Sequence, residues 1–227
     1  MTDKWPVDAG AAHATTLGLL LGIANGALLV EPTGYDKDTS VLSLLTAGAA
    51  IGATGGFLYG HSEHLTGGQA VFIANLAMLG TATAAFGAIS GSRDGEFGNW
   101  ENGTLAIGID GGTVVGAAIA PHLDWSTHRA NLVFAATGLG ALGGAMLSGL
   151  LTEPKNGGTT DANGDVVAGA MTAGLWGGFA LGILMTKDDV PDPRFGNQDK
   201  PPKTASSTPI MPWANAHGLG LMTGGMF

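Results

Sequence analysis

Cysteine is absent from this chain of 227 residues, so neither a disulfide framework nor a thiolate metal site exists. Charge is scarce: 12% of residues are charged, about half the usual share of a soluble domain. What charge there is leans acidic, with a net −9, which argues against nucleic acid and against anionic lipid surfaces as partners. Catalytic signatures are missing too. There is no Gly-x-Ser-x-Gly elbow and no Walker loop ending in Gly-Lys-Ser/Thr. Gly138 and Gly140 form a chance Gly-x-Gly inside an apolar run with no strand before it, so a dinucleotide fingerprint is unsupported. These absences predict a protein that is not an enzyme and needs no cofactor. The first thirteen residues, MTDKWPVDAGAAH, set two aspartates against one lysine, a poor signal-peptide start. The run that follows reads as a structural helix.

Glycine is what the chain has in excess. Its 40 glycines are more than twice the number expected at a usual share of about 7%. No Gly-X-Y triplet runs through them, which excludes collagen. Instead they recur at every fourth position within six apolar stretches. The first, Ala14–Val30, carries Gly18, Gly22 and Gly26; the second, Thr39–Gly60, carries Gly48, Gly52, Gly56 and Gly60. The third, Gly67–Gly91, has Gly80 followed by Ala84 and Ala88, and the fourth, Thr104–Ala120, has Gly108, Gly112 and Gly116. Gly140, Gly144 and Ser148 mark the fifth, Ala130–Leu151, and Gly174, Gly178 and Gly182 the sixth, Val166–Thr186. Four-residue spacing puts each set on one helix face, leaving a groove where another backbone can approach closely.

Only Asp110 breaks the absence of charge inside these runs, which have the length of transmembrane helices. A soluble helix normally keeps a charged face. The mean hydropathy of +0.27 is modest because alanine, glycine and threonine insert less favourably than leucine. Barrel strands would alternate apolar and polar residues, and ANLVFAATGLGALGGAMLSGLL does not. The fold class predicted is all-α: a six-helix transmembrane bundle of three helical hairpins. The repeated ladder resembles the glycine-zipper class of membrane proteins, in which small-residue faces pack helices into compact bundles or rings. That resemblance implies a packing role for the glycines named above, and it is one of structural class rather than activity.

The organisation predicted is a short N-terminal segment (1–13), the helical domain (14–186), a Pro-rich polar linker (187–212) and an apolar C-terminal segment (213–227). The stretches read as copies of a unit about thirty residues long. Polar residues stand near the first ladder glycine of most copies: Thr46, Asp110 and Thr172 two residues before one, with Asn75 and Thr137 close by. If every stretch spans, the three long, acidic connections share one side. The short connections, both termini and all six histidines (His13, His61, His64, His122, His128, His217) share the other. Trp5, Tyr35, Tyr59, Trp100 and Trp125 fall near helix ends, as an interfacial aromatic belt would, while Trp176 is mid-helix.

Few residues could carry chemistry. Asp110, with Asn75, is the candidate for a polar path, since intramembrane ionisable residues often mark ion or proton routes. Comparison with Thr46 and Thr172 argues for a packing contact instead. His61 and His64, flanking Glu63, have the best metal-ligand spacing, but no HExxH motif accompanies them and no metal is predicted. DANGDV, from Asp161, lacks the glycine and the closing Glu of a calcium loop and reads as a loop leading to a helix cap. DKDTS, from Asp36, reads as a turn with Thr39 or Ser40 as N-cap, and Asn102-Gly-Thr as a turn. The function expected is structural: a membrane or envelope protein in contact with lipid, self-assembling or anchoring an envelope partner. The alternatives are a channel or transporter using Asp110 and Asn75, and a soluble self-assembling structural protein.

Overall fold

The structure is a computed structural model that describes residues 9–33, 38–91, 99–151, 164–191, 210–215 and 218–223. It divides into two compact units, 1–195 and 196–227. All the regular secondary structure in the described part of the first unit is helical. Helix α1 (Ala9–Leu28) is followed by a single turn, α2 (Val30–Thr33), and then by α3 (Asp38–Ser62) and α4 (Gly67–Gly91). Helix α5 (Asn99–Ile119) runs into a 3-10 turn at Ala120–His122, and α6 (Thr127–Leu151) and α7 (Gly164–Met185) complete the unit. The second unit is a two-stranded antiparallel hairpin of β1 (Ile210–Asn215) and β2 (Gly218–Thr223), with Ile210 opposite Thr223 and Asn215 opposite Gly218. Strand β1 therefore starts ahead of the boundary after residue 212 that composition alone places.

The six long helices occupy the six apolar stretches, with instructive shifts at their starts. Helix α1 reaches back to Ala9, because three of the five residues of AGAAH are alanine, the strongest helix former. Asn102, Gly103 and Thr104 lie inside the first turns of α5 rather than in a turn before it, and Glu101 sits where the helix dipole favours a carboxylate. Thr39 and Ser40 are likewise inside α3, whose first turn carries Asp38. Asp36, Asp161 and Asn163 lie outside the described residues, and Asp165 falls in the first turn of α7.

Consecutive helices pair as three hairpins: α1 with α3, α4 with α5, and α6 with α7. Helix α4 is central, touching α1 on one side and α6 and α7 on the other. The core follows from this, gathering Leu65, Phe72 and Leu79 from α4 and its approach, Val133 from α6 and Leu175 from α7. Two devices start helices here that the glycine pattern does not reveal. Thr66 and Gln69 form a reciprocal capping box: the Thr66 N–H donates to Gln69 Oε1 (2.8 Å) and the Gln69 N–H to Thr66 Oγ1 (3.2 Å). Ser126 Oγ accepts from the Arg129 N–H (2.8 Å) and so caps α6.

The repeating unit is the hairpin of roughly sixty residues rather than the single helix. Gly10 and Gly68 are the second residues of α1 and α4. A Cβ on Gly10 would overlap the carbonyl of Leu65, next to Thr66, and one on Gly68 would overlap the carbonyl of Trp125, next to Ser126. Each of the first two hairpins thus presses its first turn onto the two residues that introduce the next hairpin. The helix contacts step the same way: α1 meets α4 and α5, and α4 meets α6 and α7.

Candidate functional site

The ladder glycines lie along the three hairpin seams. Between α1 and α3, Gly18 faces Gly52 and Gly22 faces Gly48, so that a Cβ on any of the four would overlap the opposing carbonyl oxygen. On the same seam Gly56 meets the Ala14 carbonyl, Gly26 would put a Cβ 2.7 Å from Leu44 O, and Gly60 would put one 2.8 Å from Ala14 Cβ. Between α4 and α5, Gly80 faces Gly108, Gly112 faces the Leu76 carbonyl, and a Cβ on Gly116 would lie 3.0 Å from Ile73 Cα. Between α6 and α7, Gly140 faces Gly174, Gly144 meets Ala170, Gly178 meets Ala136, and a Cβ on Gly182 would lie 2.9 Å from Val133 Cα. Glycines off these faces, such as Gly55, Gly87, Gly111, Gly143 and Gly177, have nothing within 4 Å of the same position. The ladder faces are therefore occupied inside the hairpins.

Gly22–Gly48, Gly80–Gly108 and Gly140–Gly174 align the three hairpins, and this register relocates the polar residues. Asp110, two residues after Gly108, corresponds to Trp176 and Ala50 rather than to Thr46 and Thr172. The threonines bond within their own helices, Thr46 to Leu42 O and Thr172 to Ala168 O, both at 2.8 Å. Asp110 instead reaches another hairpin, where its Oδ1 accepts from Asn25 Nδ2 at 2.8 Å.

Asp110 and Asn25 line a cavity of about 570 Å³ bounded by α1, α3 and α5, with Ile73 of α4 completing its wall. Its walls are otherwise apolar or glycine, except for Thr113 and Tyr59. Both hydroxyls are engaged, Thr113 with Ile109 O (2.7 Å) and Tyr59 with Ala117 O (2.5 Å). Asp110 is thus the cavity's one charged side chain, midway along its helix. Asn75 does not line this cavity: it is buried and donates to Ala130 O on α6 (2.8 Å).

At the opposite edge of α4 lies a polar cluster that glycine spacing could not reveal. Gln69 Nε2 donates to Leu123 O (2.8 Å) and Ser126 Oγ donates to Asp189 Oδ2. The Arg129 guanidinium lies 4.7 Å over the Trp125 ring, which also packs edge-on against Phe72. Trp125 is consequently buried in the core rather than placed in an exposed belt, whereas Trp100 is exposed. His61 stacks on Phe57, and its ring centre lies 6.2 Å from that of His64, the only non-glycine residue with positive φ among the described residues. Among the described residues no group of three or more His, Asp or Glu is arranged to hold a metal ion. Comparison of the chain with protein-family models, with curated proteins and with solved structures finds no match.

Proposed function

We propose that this is a non-enzymatic, structural membrane protein whose ladder glycines lock three hairpins together, and that it assembles with itself or anchors an envelope partner. One observation carries the reading: six helices are long and apolar enough to cross a membrane, and many of their large apolar side chains are exposed. Leu58 (60% exposed), Ile107 (76%), Leu150 (83%) and Met185 (83%) stand for this surface, which lies on all three hairpins. An apolar surface so widespread suits lipid far better than water. Because the ladder faces are occupied internally, any self-association uses these outer faces.

The test is fractionation. Membranes washed with alkaline carbonate should retain the protein, and detergent should release it; recovery in the carbonate wash would sink the membrane reading. Cross-linking in intact membranes addresses assembly, and a product that stays monomeric at every cross-linker level would remove it.

Asp110 favours a second reading, a channel or transporter. A carboxylate at mid-span costs about 3 kcal/mol to insert and is commonly tied to transport. In reconstituted vesicles Asp110→Asn should then abolish flux, and unchanged flux would remove this reading.

A further inference from the structure

The seam between the second and third hairpins shows what the seam between the first and second lacks. In the former, Trp176 stands two residues after Gly174 and Phe179 five residues after it. Their rings meet edge to face at 6.2 Å, and the indole N–H donates to Thr83 Oγ1 on α4 (3.1 Å). Thr83 follows Gly80 by three residues, as Asn25 follows Gly22. At the corresponding steps of the first seam the tryptophan is replaced by Asp110 and the phenylalanine by Thr113. Ile183, partly buried against the core, is replaced by Ala117. Asp110, Thr113 and Ala117 are the three residues that α5 contributes to the cavity wall. The cavity is the space that an aromatic pair fills one hairpin later.

Its remaining polarity sets the chemistry of an occupant. Asn25 satisfies one oxygen of Asp110, and no described basic residue bonds the carboxylate. Arg129 is the one Lys or Arg within the six spans, and it is directed at Ile183 O and Trp125 on the far side of α4. A cation is therefore the missing complement, and about 570 Å³ is within the usual range for small-molecule sites. We propose that the cavity between α1, α3 and α5 binds a lipophilic ammonium compound, with its ring system in the space held by Trp176 and Phe179 in the next seam and its N–H donors on Asp110.

The proposal draws on the membrane reading for the cost of an uncovered carboxylate, yet the two fail separately. Carbonate extraction reports on the membrane, and ligand binding on the cavity. The experiment titrates a naphthylmethylammonium probe, and uncharged methylnaphthalene beside it, into the full-length protein in neutral detergent, following probe fluorescence anisotropy. Wild type should bind the ammonium probe at least tenfold more tightly than the hydrocarbon. Asp110→Asn should remove that preference, and Thr113→Phe, which restores one ring of the filled seam, should weaken both ligands about tenfold. No saturable binding by wild type would overturn the proposal. So would equal affinity for both compounds, which is the behaviour of a groove that takes only lipid chains, or a preference that survives Asp110→Asn.

Discussion

Where Trp176 reaches from α7 to Thr83 on α4, the preceding seam has Asp110 on α5 meeting Asn25 on α1. The backbone framework of the two seams is nonetheless the same. Gly10 presses on Leu65 and Thr66, Gly68 presses on Trp125 and Ser126, and the helices meet in the same order. Glycine-to-backbone contacts set the spacing of the hairpins from the first turn and from within each pair. Side chains further along each seam therefore do not have to set it, and one seam can be plugged with rings while the other stays open. The third hairpin ends this series. His128 is the second residue of α6, where α1 and α4 have glycine, so a fourth hairpin would meet a side chain where close approach is required.

Breaking a hairpin should outweigh any change within a seam. Gly52→Leu forces a branched side chain into the Gly18 carbonyl and should cost more than about 3 kcal/mol, beyond ordinary overpacking. Read as loss of monodisperse, folded protein in detergent, it should collapse the open seam with its α3 wall. Gly143→Leu, on α6 and with nothing within 4 Å of the added Cβ, should destabilise by less than about 0.5 kcal/mol. If the two variants behaved alike, the ladder face would not be what spaces the helices.

Next in size is Trp176→Ala, which empties the filled seam. Full burial would put the loss at about 3–5 kcal/mol, but this ring is nearly half exposed (47%), so about 2 kcal/mol is expected in denaturant titrations. The variant should also open a second site that takes methylnaphthalene and the ammonium probe equally, because Trp176 stands where the first seam has its carboxylate, sharpening the comparison in the opposite direction. Asn75→Leu deletes one buried cross-hairpin bond to Ala130 O and should cost about 1 kcal/mol in the same titration. The smallest effect belongs to Asp110→Asn, whose side-chain oxygen still accepts from Asn25: a change within about 0.5 kcal/mol, by thermal melt. A loss above about 2 kcal/mol would mean that Asp110 holds the seam together, and the contrast between a filled and an open seam would fail.

Much of the helical plan was legible because four-residue spacing and the absence of charge are local signals. The six long helices lie over the six apolar runs, and Gly48 to Gly60 occupy one face of α3. The candidate site was legible only in part. Asp110 stood out as the lone charge, but its partner Asn25 did not, because contact between α1 and α5 leaves no periodic trace. The ladder itself misled the comparison of copies: a face repeating every four residues aligns equally well one turn away, which matched Asp110 with Thr46 and Thr172. Gly10 and Gly68 lie outside the regular ladders, so four-residue spacing does not mark them, although both sit at the tightest joints between hairpins.

By itself the sequence determined six apolar helices, the faces on which backbones can meet, and a connection pattern that places short loops at one end. Those properties follow from side-chain size, charge and helical period, all of which are read along a single chain. Tertiary structure alone decided the register of each hairpin, because a carbonyl must settle opposite a particular glycine before one turn differs from the next. It also decided that α4 is central and that one seam is filled and the other open. Volume between helices belongs to the side chains of three elements at once, and no single stretch encodes it.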